Sequence, residues 1–282
     1  MTCHRQLMRA PLACALFLGG VPVFGAAFFQ GFETNNAGWD VFGGTNDAVR
    51  VASGTHGVTS RTGSFHGEAV TGDLEKNDGS AATRWGGYNM SFSAGMGYIT
   101  AADIFLNIGG AFSNDTRFDW DSAASQLDGN FRRDFVFNAG FYNVTDATGS
   151  VPRFVVSASN NAGRSGAFPE NPGRDPFAIT TTGWYTFQHF FHNVAGVLVV
   201  DLSILNSSGV TLHTWQLSDP SDTAAICCGN RYGWFPLQEF SFLAFDNSLR
   251  TDTAITTPEP ASLALIGAGL LGVALLRRRK RP

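Results

Sequence analysis

The sequence predicts an all-β protein built as a single β-sandwich, and three observations carry that expectation. The first is composition: of 282 residues, 44% are apolar and 13% aromatic, only 15% are charged, and Gly (33) and Phe (25) are abundant. Such a chain favours pleated, half-buried strands over solvated helices, and it is long enough to bury a sizeable core. The second is a period-two alternation of apolar and polar residues in several short runs. The third is punctuation by Gly-, Asn- and Asp-rich turns at close intervals.

In chain order, strands are expected at 98–108, 131–141, 151–157, 184–192, 197–206, 210–217 and 235–246. Within 131–141, Phe131, Phe135, Phe137, Ala139 and Phe141 share one face, with Asp134 and Asn138 on the other, which is the pattern of a strand with one buried side. Asn206-Ser207-Ser208-Gly209 separates two such runs and signals a hairpin. Trp215 shares a face with Leu217 and is expected to point inward. The oxygen-rich run Asn114-Asp115-Thr116-Arg117-Phe118-Asp119-Trp120-Asp121 reads as a polar loop, 159–177 as a long surface loop, and 225–231 as a turn.

The formal net charge of −4 hides an uneven distribution. Arg5 and Arg9 precede an apolar run at 10–24 that ends in Gly25, Ala26 and Ala27. This is the layout of a secretory signal peptide, residues 1–27, cleaved after Ala27. At the other end, Pro258-Glu259-Pro260 leads into an apolar stretch at 261–276, closed by Arg277, Arg278, Arg279, Lys280 and Arg281. As a helix that stretch rises about 24 Å, against roughly 30 Å of hydrocarbon. The arginines would complete the span by snorkelling and, as a stop-transfer cluster, stay cytoplasmic. Residues 28–253 are then one extracytoplasmic domain and 254–282 a C-terminal signal. Region 28–257 holds 12 basic and 22 acidic residues, a net charge of −10, which argues against a nucleic-acid partner. Gly267-Ala268-Gly269-Leu270-Leu271-Gly272 matches a dinucleotide fingerprint in letters only, because it lies inside the apolar stretch and not in a βαβ unit.

The order of Pro258-Glu259-Pro260, a short apolar helix and a terminal arginine cluster resembles the PEP-CTERM sorting signal of Gram-negative bacteria. The resemblance implies recognition of the tail by exosortase, a membrane cysteine protease, after export through the Sec translocon and removal of the leader by signal peptidase. It also implies transient membrane anchoring by the C-terminal helix, then residence in the cell envelope or extracellular matrix of an exopolysaccharide-producing, biofilm-forming bacterium.

A second resemblance is to jelly-roll, concanavalin-like and carbohydrate-binding sandwiches. It rests on Gln30-Gly31-Phe32-Glu33 with Gly38-Trp39 at the start and Ala244-Phe245-Asp246-Asn247 at the end. This resemblance implies a structural calcium ion shared by Glu33 and Asp246, oxygen ligands being what calcium takes. No other cofactor is required. Exposed tryptophans would serve as a ligand platform; Trp85, beside Gly86-Gly87, and Trp120, between two aspartates, are the candidates. Cys227 and Cys228 are the two cysteines left after signal removal, and adjacent cysteines can bridge only as a vicinal disulfide; free thiols or intermolecular bonds are the alternatives.

For catalysis the sequence is poor. It lacks the Glu-x-Asp-x-Glu strand of laminarinase-like sandwiches, the G-x-S-x-G elbow and the H-E-x-x-H zinc helix. Asp119 and Asp121 would share a face on a strand, whereas His189 and His192 would point to opposite faces. No catalytic residue is assigned. The expectation is a non-enzymatic exported protein, a structural or adhesive component of an exopolysaccharide matrix. A carbohydrate-binding module is the alternative, and a glycan-degrading enzyme is a third, weaker reading.

Overall fold

The structure, a computed structural model, describes residues 28–41, 48–73, 79–86, 96–164 and 168–254. Its elements in order are β1 (Phe28–Gln30), β2 (Trp39–Val41), β3 (Ala48–Ala52), β4 (Phe65–Asp73), β5 (Ala81–Thr83), β6 (Met96–Leu106), β7 (Thr116–Gln126) and β8 (Phe131–Tyr142). They continue with β9 (Arg153–Ser159), β10 (Phe177–Ile179), β11 (Gly183–Val194), β12 (Val197–Leu205), β13 (Thr211–Thr223), β14 (Cys227–Trp234) and β15 (Leu237–Ala254). Two 3-10 turns, Thr55–Gly57 and Pro172–Arg174, are the helical elements among the described residues. The all-β expectation holds.

The pairings resolve into two antiparallel layers. In the first, the order is β10-β9-β8-β7-β14-β5-β2. In the second it is β3-β4-β15-β6-β11-β12-β13, with β1 also on β15. The layers are joined where Gln238 of β15 lies opposite Phe118 of β7.

Strand alternation decides what lies between the layers. On β8, Phe135, Phe137, Ala139 and Phe141 point inward, as the sequence pattern requires. On β11, Tyr185, Phe187, His189 and Phe191 are buried while each intervening residue is only partly so. Rings from the two layers meet edge-on: Phe118 and Phe137 reach Phe187 at 5.9 and 5.1 Å, and Phe135 reaches Phe191 at 5.5 Å. Edge-to-face contacts of this kind add about 0.5–1.5 kcal/mol each beyond area burial. The β12–β13 hairpin forms where expected. Asn206 Oδ1 accepts from the amides of Ser208 and Val210 at 3.0 Å, and Gly209 supplies a positive φ of 76°.

Several expectations are corrected. The presumed polar loop at 114–121 is mostly strand β7, because Phe118, Trp120 and Ala124 form its buried inner face. The presumed turn around Cys227 begins strand β14. Phe131 is exposed, since a register shift opposite Ala124 and Ser125 takes it out of the inward series. Trp85 and Trp120 are buried, and so cannot be the exposed platform. They pack edge to face at 6.0 Å, over Gly233 of β14. A Cβ on Gly233 would come within 2.9 Å of Trp120 Cη2 and closer still to the Trp85 ring. Gly233→Ala should therefore overpack this corner and cost about 1–3 kcal/mol. Urea denaturation checks it: a lowered midpoint with unchanged slope is expected, and an unchanged midpoint would mean the two indoles are not held there.

Candidate functional site on the outer faces of the sandwich

The residues that alternate outward give the two layers different surfaces. On the first layer, β7 presents Asp119 and Asp121, β8 presents Asp134 and Asn138, β9 presents Ser157 and Ser159, and β14 presents Tyr232 and Trp234. Register sets Asp119 opposite Asn138, Asn138 opposite Ser157, and Asp121 opposite Trp234. Most of this polar face is buried. The segment after β9 lies on it: the Gly163 amide donates to Asp119 Oδ2 at 2.6 Å, and Asn138 Nδ2 donates to Asp119 Oδ1 at 2.8 Å and to the Asn161 carbonyl at 3.2 Å. The Arg117 guanidinium sits 4.6 Å from the Phe168 ring centroid, and Arg164 pairs with Glu239.

Burial favours the protonated form of these acids. Burial pushes the Asp119 carboxyl up to about 7, against its hydrogen bonds from Asn138 and Gly163. Burial raises Asp121 well above the carboxylate range, and the neighbouring Asp134 charge adds to it. Asp121 Oδ1 meets no N–H or O–H donor. Asp134 is also raised by burial, although its bonds with Asp121 and Tyr232 oppose the rise. Burial of the two neighbouring carboxyls thus favours retention of a proton by the Asp121–Asp134 pair.

Glu33 and Asp246 flank one loop. Glu33 accepts from the amides of Ser64 and Phe65 at 3.0–3.2 Å. Asp246 accepts from the amides of Thr62 and Asn247 at 3.2 and 2.8 Å. All four carboxylate oxygens thus accept backbone N–H donors. Among the described residues, no group of three or more His, Cys, Asp or Glu side chains is arranged to hold a metal ion. Glu33 and Asp246 both fasten loop 62–65 through its backbone amides. Cys227 and Cys228 are joined as a buried vicinal disulfide across a cis peptide bond.

The second layer's outer face is open. Along β11 it carries Trp184, Thr186, Gln188, Phe190 and His192, each partly buried. His192 stacks on Phe190 at 4.6 Å and approaches Asp201 at 3.1 Å, and Gln216 donates to Asp201 at 2.8 Å. His189 points the opposite way, into the core, where burial depresses its imidazole to about 3. At the end of this face, Trp184, Thr181, Thr182, Asn206, Ser207 and Leu212 line a cavity of about 360 Å³. Sequence reasoning gave Trp184 no role, because burial could not be ranked among tryptophans that all lie near polar residues.

Pro258, Glu259, Pro260, Arg277, Arg278, Arg279, Lys280 and Arg281 lie outside the described residues, as do the leader and the apolar stretch at 261–276. Among the described residues, no helix is long and apolar enough to cross a membrane. Residues 256–280 match the family model of the PEP-CTERM protein-sorting motif. No curated protein matches the chain. Among solved structures, the chain is similar to the CBM2 module of Lactobacillus casei BL23 phage J-1 evolved Dit, with TM-score 0.43 and 11% identity over 80% of this chain and 95% of that one. It is also similar to winged bean acidic lectin complexed with methyl-α-D-galactose, with TM-score 0.40 and 10% identity over 81% and 98% of the two chains. For peanut lectin with a 9mer peptide the TM-score is 0.38 and the identity 9%, over 82% of this chain and 99% of that one.

The acid pair has a pH signature of definite sign. A carboxyl raised in the folded state binds its proton more tightly there than in the unfolded chain. Its favourable contribution is complete below the unfolded value near 3.8 and is lost as pH rises towards the folded value. Asp121→Asn keeps a donor towards Asp134 but cannot titrate. As pH rises above about 4, its stability should fall less steeply than that of wild type, by about 1.4 kcal/mol per pH unit where Asp121 would titrate. Melting curves across that range check this, and parallel wild-type and variant curves would contradict it.

Proposed function

We propose that the protein is exported and delivered through its tail to the cell envelope or extracellular matrix, where the sandwich is a non-catalytic structural or adhesive component of an exopolysaccharide matrix. The observation that carries this reading is the sorting-motif match at 256–280. It begins directly after β15, the long strand that pairs with β1, β4, β6 and β7. Pro258 lies four residues beyond Ala254, a reach of at most about 14 Å. A chain held at the tail would therefore keep the sandwich close to the membrane surface until the tail is processed. In this reading signal peptidase removes 1–27 after Sec export, the basic cluster at 277–281 stops transfer, and exosortase acts at the tail.

Peptide mapping by mass spectrometry checks the processing step. Protein recovered outside the cell should contain peptides of the sandwich but none carrying Arg277–Arg281. A Glu259→Ala variant should accumulate at full length in the membrane fraction. Full-length protein with its tail in the outer fraction, or normal processing of the variant, would contradict the reading.

A further inference from the structure

Of the six tryptophans, Trp39, Trp85, Trp120, Trp215 and Trp234 are buried, and Trp184 is the one that is not. Its indole N–H donates to the Thr59 carbonyl at 2.9 Å, and its ring meets Phe105 and His66 edge-on at 5.3 and 6.1 Å. The polar edge is thus satisfied within the protein and the ring is held, which leaves an apolar ring surface for the cavity it lines.

The other walls are held as firmly. Tyr185 donates to the Thr181 carbonyl at 2.8 Å, and Arg61 donates to the Ser207 carbonyl at 2.7 Å. Asn206 spends its oxygen on the turn amides, so its Nδ2 remains a donor of fixed direction. Among the described residues, Asn206 Nδ2 and the hydroxyls of Thr181 and Ser207 have no protein partner. No charged side chain lines the cavity. A fixed aromatic surface beside neutral donors and hydroxyls suits a ring with an apolar C–H face and hydroxyls at its edge. Preorganised walls also lower the ordering cost of binding. The net charge of −10 over 28–257 disfavours a polyanion.

We propose that the cavity lined by Trp184, Thr181, Asn206 and Ser207 binds a neutral sugar residue of an extracellular glycan. The inference rests on the matrix reading for the source of its ligand.

Calorimetric titration of the full chain in detergent micelles tests it, with neutral gluco-, galacto- and manno-oligosaccharides as probes and oligogalacturonate as the acidic comparator. At least one neutral probe should bind saturably, and Trp184→Ala should weaken it roughly tenfold or more. Thr181→Val, which keeps the shape of an exposed side chain, should weaken it several-fold with an unchanged melting temperature, and it decides the matter if Trp184→Ala does not fold. Binding unchanged in Thr181→Val and in a folded Trp184→Ala, preference for oligogalacturonate, or no binding of any neutral probe would overturn the proposal. A chain that binds sugar through this cavity but is never released from the membrane fraction would contradict the matrix reading while leaving the cavity's assignment intact.

Discussion

The two layers can exist only because their inner faces bury one another. Each strand alternates, so every ring that one layer turns inward must find space on the other. Trp39 meets Phe245 at 4.4 Å and Trp120 meets Phe235 at 4.8 Å, and the same cluster continues through Phe118, Phe137 and Phe187 to Trp215. Full burial of such side chains is worth about 1.5–3 kcal/mol each, and their dense packing gives single glycines such as Gly233 their importance. β15 runs through this arrangement for 18 residues and contributes Phe240 and Phe245 to the core.

With the inner faces committed to packing, chemistry is left to the outer ones, and they differ. The first layer closes over its own acids. Asp119 and the Asp121–Asp134 pair sit where burial raises their carboxyls above the ordinary range despite the hydrogen bonds they accept. The second layer keeps its polar and aromatic residues partly exposed. The distinction is one of covering segments: the chain after β9 folds back onto the first layer, through Gly163 and Phe168, whereas the rows along β11 remain partly open.

Much of the fold was legible because alternation is a direct consequence of pleating. The β8, β11, β12 and β13 runs announce themselves by period-two patterning, and the Asn206–Gly209 turn by its residue chemistry. The β7 strand was not legible, since Asp119 and Asp121 make its outer residues look like a solvated loop. Only the covering segment, distant in sequence, explains how acids can lie buried there. The same limit made Trp120 look exposed: it lies between two aspartates in sequence, yet those aspartates point away from it by alternation. That Glu33 and Asp246 both bind the amides of residues 62–65 was not legible, because it depends on the conformation of that loop. The C-terminal signal, by contrast, was readable because its information is local, a fixed order of residues and not a packed surface.

The central claim is that the sandwich resides outside the inner membrane. Ser208 sits exposed in the β12–β13 turn, so a Ser208→Cys variant can be treated in intact cells with a membrane-impermeant maleimide. Labelling without lysis, at the level reached after lysis, is the expected result. Labelling that appears only once the cells are broken would contradict the claim.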